Sequence, residues 1–220
     1  MSTGILIMAR SPRAGRVKTR LEPLLGREGC ARLQAELIRH TGGWAVNAAR
    51  RTWLAFTPHR ARDEVTALVP SRVSLFAQAP GHLGERLREA TCRVAQAHTG
   101  PLIVIGTDAP MLGPDQVAAA ERRLADGHDT CLVPALDGGY ALIAFSRTTP
   151  AAFEIDPTSW GGPHVLDLTI GALRRAGFDT AVLEPVRDLD TPADADVLRE
   201  DARCPPAIRM ALEPPEPRAA

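Results

Sequence analysis

The stretch that most limits how this chain can fold is residues 4–20, GILIMARSPRAGRVKTR. Gly4 to Ala9 are apolar without interruption, and the run stops at Arg10. A short continuous apolar run, rather than an alternating one, is the pattern of a strand buried on both faces. It empties into a loop with Pro12, Gly15 and five cations within eleven residues: Arg10, Arg13, Arg16, Lys18 and Arg20. A buried strand leading into a basic, glycine-containing loop is how a parallel α/β sheet holds an anion at its carboxyl edge.

The rest of the chain fits that frame. Residues 27–50 read as a helix, with Gly42 and Gly43 as a possible break. Strand patterns fall at 52–57, 72–77, 101–106, 130–134, 140–145 and 180–183. Helical patterns at 62–68, 85–98, 114–126 and 164–176 lie between them, and Thr191-Pro192 opens a last helix with Thr191 as N-cap. The alternation argues for a three-layer α/β fold around a mostly parallel sheet. After Gly139 the order is less regular, which predicts an antiparallel strand. We expect one domain over residues 1–203 and a proline-rich tail over 204–220, where prolines stand at 205, 206, 214, 215 and 217.

Composition narrows the function. The 220 residues carry 26 basic and 26 acidic side chains, a formal net charge of zero. No global positive field argues for nucleic acid and no polybasic run argues for a membrane surface. No apolar run approaches the roughly 20 residues of a membrane span. Cys30, Cys92, Cys131 and Cys204 are scattered without a C-x-x-C pair, which reads as reduced cysteines in a cytoplasmic protein. Of the 26 basic residues, Lys18 is the only lysine and the other 25 are arginine. An ammonium and a guanidinium are not interchangeable where a phosphate chain is gripped at close range. The loop lacks the glycine spacing of a Walker A motif and of a dinucleotide fingerprint.

Three further constellations carry chemistry. Asp108 directly follows the apolar run 101–106, and an ionised carboxylate at the mouth of a buried strand is costly unless paired or bound to a metal. Asp188 and Asp190 alternate along an extended segment, so both carboxylates point the same way. Hard oxygen donors without His or Cys suit Mg²⁺ or Mn²⁺. Asp137-Gly138-Gly139-Tyr140 reads equally as a Gly-Gly hairpin turn and as a close approach of backbone to a ligand. Trp160-Gly161-Gly162 is a candidate piece of an acceptor pocket.

With these pieces in order the chain resembles the bacterial glycosyltransferase-like transferase 1 family, which is associated with radical-SAM and selenoprotein gene neighbourhoods and with arsenosugar biosynthesis. The resemblance is carried by ARSPRAGRVKTRL, by Gln78 with LGERL, and by GTDAP, PALDGGYALI, SWGGPHVL and RDLDTPAD. The chain is more distantly similar to the guanylyltransferases for molybdopterin and phospholactate. The resemblance implies the nucleotide-diphospho-sugar transferase (GT-A, Rossmann-like) fold. It implies that Lys18, with Arg10, Gly15, Arg16 and Arg20, holds nucleotide phosphates, and that Gln78 and Gly84 approach the base or ribose. It implies Asp108 and Asp190 as metal ligands, and Asp137, Gly138, Gly139, Tyr140 and Trp160 on the acceptor side. The chain departs from the family pattern at Arg10, Leu136 and Ala144.

Two reactions fit such a site. In the first, a small anionic acceptor such as a phosphate or phosphonate takes a nucleotidyl group from a nucleoside triphosphate. Mg²⁺ lies on Asp108 and Asp190, and Lys18 with Arg20 stabilises the departing pyrophosphate. In the second, a nucleotide-sugar is the donor and glycosyl transfer results. The cation density of the first loop favours a triphosphate. A non-catalytic nucleotide-binding protein is the third reading, and metal-dependent turnover would exclude it. The sequence leaves the base, the acceptor and the oligomeric state open.

Overall fold

The computed structural model describes residues 3–214. Seven strands form one sheet: β1 (Gly4–Arg10), β2 (Arg51–Thr57), β3 (Ser74–Ala77), β4 (Leu102–Ile105), β5 (Thr130–Pro134), β6 (Tyr140–Phe145) and β7 (Thr180–Val182). Their order across the sheet is β3-β2-β1-β4-β6-β5-β7. The pairs β1/β2, β1/β4, β2/β3 and β5/β7 are parallel. Strand β6 runs antiparallel to both β4 and β5, as the irregularity after Gly139 predicted. A turn of a few residues between β5 and β6 can join only antiparallel neighbours, because a parallel return needs a crossover. That reversal leaves the ends of β1, β4 and β5 on one edge of the sheet.

Helices cover both faces. Helices α1 (Glu22–Ala48), α2 (Arg62–Thr66) and α4 (Pro114–Ala125) pack on one face, and α3 (Leu83–Ala95) and α5 (Val165–Arg175) on the other. Strand β1 shows why its run is unbroken. Ile5, Ile7 and Ala9 enter the first core and Leu6 the second, with Met8 packed against the latter. Gly42 and Gly43 do not break α1, which runs on to Ala48. A Cβ on Gly42 would lie 2.9 Å from a Val69 methyl, so this glycine serves a close helix–loop approach. The interruption is at Gly26, where φ is 66° and ψ 170° inside the helix.

A third core joins α1 to helices α6 (Pro192–Glu200) and α7 (Pro206–Ala211), through Leu33, Leu37, Leu198, Cys204, Ile208 and Leu212. The expectation of a separate proline-rich tail from residue 204 is therefore corrected for residues 204–212, which fold onto the domain. Pro206 sits in the first turn of α7, where its missing N–H costs nothing. The buried Ile208 and Leu212 dock the helix. Residues 215–220 of the expected tail lie outside the described residues. No helix among the described residues is long and apolar enough to cross a membrane.

Candidate active site

The carboxyl edge of the sheet collects the residues singled out by the sequence. The basic loop leaves β1, Asp108 follows β4, Asp137 lies in the turn after β5, and Asp188 and Asp190 follow β7. The last segment is tied to its neighbours by Val186 donating to Pro134 O (2.9 Å) and Leu189 donating to Asp108 O (2.8 Å).

Lys18 is the hinge of the arrangement. Its side chain is 4% exposed. Its ammonium donates to Leu189 O (2.7 Å) and Asp190 Oδ1 (3.0 Å), and pairs with Asp108 Oδ1. Burial by itself would push this ammonium down, but the charges and hydrogen bonds of Asp108 and Asp190 outweigh it, and its pKa is raised. Lys18 is also the one non-glycine residue with positive φ among the described residues (φ 49°, ψ 36°). That conformation costs on the order of 1–3 kcal/mol and persists only where its surroundings hold it. Here three oxygens hold the side chain.

The other loop cations divide into two kinds. Arg13 is spoken for: its Nε donates to both Glu64 oxygens at 3.0 Å, and Ser11 donates to the same carboxylate. Arg10, Arg16 and Arg20 have no carboxylate at ion-pair distance among the described residues, and Arg10 only reaches the Arg16 carbonyl (3.4 Å). Gly15 provides a positive φ of 69° for the turn in this loop.

One cation was not anticipated. Arg86, on the second turn of α3, faces the cleft beside Arg10. Its Nη1 donates to Gln78 Oε1 (3.1 Å), and its Nε is buried without a partner. Burial, followed by the charge of Arg10, pushes its pKa down. A half-buried guanidinium next to another, with no counter-anion, is what an anion site looks like before the anion arrives. The residue was visible in LGERL, but charge was counted only in the first loop. Gln78 itself spends its amide hydrogens on Ala9 O (3.2 Å) and Ala55 O (2.7 Å), so it aims Arg86.

Together Arg10, Lys18, Arg20, Arg86, Gln34, Thr107, Asp108 and Asp190 line a cleft of about 350 Å³. On the far side of Asp108 and Asp190 lies a second cleft of about 260 Å³, reaching Asp137, Gly139, Tyr140 and Trp160. In the second cleft, Asp137, Asp188 and Asp190 bring one carboxylate oxygen each within 4.8 Å of one another, and Asp190 also lines the first. That all-oxygen set fits a divalent ion such as Mg²⁺. The grouping differs from the sequence expectation of Asp108 with Asp190. Asp137 belongs to the carboxylate cluster, while Lys18 holds both Asp108 and Asp190. Asp188 is pushed up by burial and then by Asp137, Asp190 and Asp194, the mark of crowded like charges.

Two glycines have structural duties. A Cβ on Gly84 would sit 2.5 Å from Trp160 Nε1, so Gly84 makes room for the indole and not for a base or ribose. Gly138 has φ 92°, and a Cβ there would meet Pro163 O at 2.0 Å. It clamps the β5–β6 turn onto Pro163 in the segment before α5, and Leu166 N in the first turn of α5 donates to Gly138 O (3.0 Å). Burial pushes the Tyr140 phenol up, so it stays neutral. Of the departures from the family pattern, Ala144 is buried in the sheet core and Leu136 is exposed on the turn.

A family profile matches residues 44–160: DUF2064, described as uncharacterized protein conserved in bacteria. The chain belongs to this family. No curated protein matches the sequence. Among solved structures, a candidate nucleotide-diphospho-sugar transferase from Desulfovibrio desulfuricans superposes with a TM-score of 0.87 at 25% identity, covering 96% of this chain and 94% of the other. The CMP:2-keto-3-deoxy-manno-octonic acid synthetase, complexed with CTP, gives 0.59 at 16% identity, covering 90% and 97%. The 4-diphosphocytidyl-2C-methyl-D-erythritol synthase gives 0.60 at 12%, covering 96% and 98%. At such identities the two synthases bear on the fold alone. This DUF2064 member thus has the mixed α/β fold of nucleotidyl and nucleotide-sugar transferases.

Proposed function

We propose that this DUF2064 protein is a metal-dependent nucleotidyltransferase that moves a nucleotidyl group from a nucleoside triphosphate to a small acceptor. One observation supports the reading: Arg10, Arg20 and Arg86 line one cleft with Asp108 and Asp190, the buried Lys18 bonds to both aspartates, and Asp190 is also a member of the carboxylate cluster. A triphosphate carries charge that only such a density of donors can meet. The cations bind and orient the phosphates. Asp137, Asp188 and Asp190 would hold Mg²⁺ or Mn²⁺, and when bound the ion neutralises phosphate charge as a Lewis acid. The acceptor oxygen bonds to the α-phosphorus as its bond to the bridging oxygen breaks. Pyrophosphate leaves with that electron pair, met by Lys18 and Arg20. No protein nucleophile is required, because such transfers depend on positioning and charge. We place the whole activity in one unit, with α7 completing the α1 core.

Glycosyl transfer from a nucleotide-sugar is the second reading. It is favoured by the apolar second cleft and by the likeness to the Desulfovibrio desulfuricans protein. Affiliation with the radical-SAM-associated transferases belongs to this reading.

The test is a thermal-shift panel of four nucleoside triphosphates and common nucleotide-sugars, each with Mg²⁺ and with chelator. A ligand at a hundredfold excess over its Kd stabilises by about 2.7 kcal/mol. A Mg²⁺-dependent shift with one triphosphate, followed by pyrophosphate release, supports nucleotidyl transfer. A shift confined to a nucleotide-sugar replaces it with glycosyl transfer, and no shift with either refutes both.

A further inference from the structure

We propose that the second cleft takes a small, uncharged acceptor that has an apolar flank and a free hydroxyl, and that it rejects phosphate-bearing acceptors. The inference rests on the nucleotide-dependent transfer proposed above and names the acceptor class for that same site.

Charge is the first argument. Among the residues lining this cleft there is no Lys, Arg or His, but there are four carboxylates, Asp108, Asp137, Asp188 and Asp190. A divalent ion and the Lys18 ammonium together would offset three of those four negative charges, leaving no positive charge for an incoming anion. Like charges at close range repel strongly near a protein surface, where the effective dielectric is well below that of water. A phosphate monoester would meet that repulsion without the arginine or lysine that phosphate sites provide. Arg10, Lys18, Arg20 and Arg86 line the first cleft instead, and Arg13 and Arg16 line a further opening beside Arg10 and Arg86.

Shape and surface are the second. Leu83, Leu87, Val104, Tyr140, Trp160 and Val165 form the wall. Trp160 is held by a 3-10 turn before it (Pro157–Ser159) and by the bare Gly84 against its indole. A fixed indole is a platform for the apolar face of a ring, as aromatic surfaces are in sugar and small-aromatic sites. The volume, about 260 Å³, is at or below the lower end of small-molecule sites, so the acceptor is small.

The carboxylates then serve an alcohol. The acceptor's hydroxyl oxygen forms the new bond to the α-phosphorus, the bond from α-phosphorus to the bridging oxygen breaks, pyrophosphate departs with the electron pair, and the hydroxyl proton is released to water.

The experiment uses the full chain with Mg²⁺ and whichever triphosphate gives the thermal shift above. Two acceptor sets are compared: neutral probes (methyl and aryl glucosides, inositol, benzyl alcohol) and anionic ones (glucose 1-phosphate, glucose 6-phosphate, glycerol 3-phosphate, inorganic phosphate). Pyrophosphate release and saturation-transfer NMR are read in parallel, the latter with a non-hydrolysable triphosphate. We expect stimulation and NMR contact only in the neutral set, strongest for probes with an apolar ring. Trp160→Ala should raise KM for neutral hits about tenfold, more than it lowers kcat. Trp160→Phe, which keeps a ring, should restore most of the loss. Turnover confined to phosphate monoesters, or none with any neutral probe, overturns the acceptor class. If no triphosphate shifts the protein at all, the transfer reading itself has failed and takes this inference with it.

Discussion

The two clefts share Met8, Leu83, Asp108 and Asp190 and no other lining residue. Their chemistry is otherwise opposed. One presents Arg10, Lys18, Arg20 and Arg86, and the other presents hydrophobic side chains and carboxylates without a cation. The boundary between them is the line of aspartates that end β4, β5 and β7. What the difference teaches is that charge here is partitioned by the sheet edge. On the reading proposed above, a polyanion would bind on the β1 side, and the acceptor would come from the β6 side without bringing charge of its own. Lys18 lines only the first cleft and bonds there to Asp108 and Asp190, the two aspartates that both clefts share.

The largest effect should come from breaking that boundary. Lys18→Met removes the ammonium that links Asp108, Asp190 and the Leu189 carbonyl. It leaves Asp108 and Asp190 without their cation, but both are partly exposed (58% and 38%) and can be solvated, so the loss of stability should be smaller than for breaking a fully buried pair. Turnover should fall about 10²- to 10³-fold, the usual loss on removing a preorganised charge-stabilising donor. Lys18→Arg should do nearly as badly, since a planar fork cannot reach three oxygens arranged around a point. Steady-state rates and a melting curve on the same preparation check this. A large loss of Tm with rate in proportion would make Lys18 a structural residue and dissolve the comparison.

The next effect sharpens the β1 side. Arg86→Gln removes the unpaired guanidinium and, being two bonds shorter, also gives up the bond to Gln78. A charge-assisted hydrogen bond is worth about 1.5–3 kcal/mol. Nucleotide affinity should therefore drop roughly tenfold to a hundredfold, measured by calorimetric titration with Mg²⁺ present. A change below twofold would mean that no anion reaches Arg86. Gly84→Ala comes third and tests the β6 side. The added methyl must displace the Trp160 indole from 2.5 Å, so acceptor KM should rise several-fold, about 1 kcal/mol, while nucleotide affinity holds.

These variants also mark where the sequence was legible. The first strand, the basic loop, the antiparallel return after Gly139 and the Asp188-x-Asp190 pair could be read because each is contiguous. Its signal lies in a few neighbouring residues and obeys a period of two or a turn chemistry. The acceptor cleft could not be read that way. It is built from β1, α3, β4, the β5–β6 turn and the segments around Trp160 and Asp188, and spacing along the chain carries nothing about which of these meet. The same holds for Arg86, whose role depends on Arg10 being across the cleft. Gly84 and Gly138 announced close approach, but a sequence does not say what approaches. In both cases it is the protein's own chain, Trp160 and Pro163. Helix α7 was hidden by its prolines, which read as a tail when counted and as a helix start when placed.

The smallest effect tests whether counting cations in the first loop was sound at all. Arg13 lies in the same loop as Arg10 and Arg16, yet its guanidinium is committed to Glu64, whose pKa is held down by Arg13 and Ser11. Both side chains are about 40% exposed, and such a pair is worth at most about 1 kcal/mol and is screened by salt. Because the carboxyl is depressed in the folded state, the clamp is fully present at neutral pH and is lost as pH falls through and below the ordinary carboxylate range. Arg13→Gln should thus change nucleotide affinity less than about threefold at neutral pH, with any loss shrinking in high salt. A loss as large as that of Arg86→Gln would show that nucleotide pulls Arg13 away from Glu64. In that case the charge that meets the phosphates is the whole loop, as the bare sequence suggests, and not the subset left unpaired by the fold.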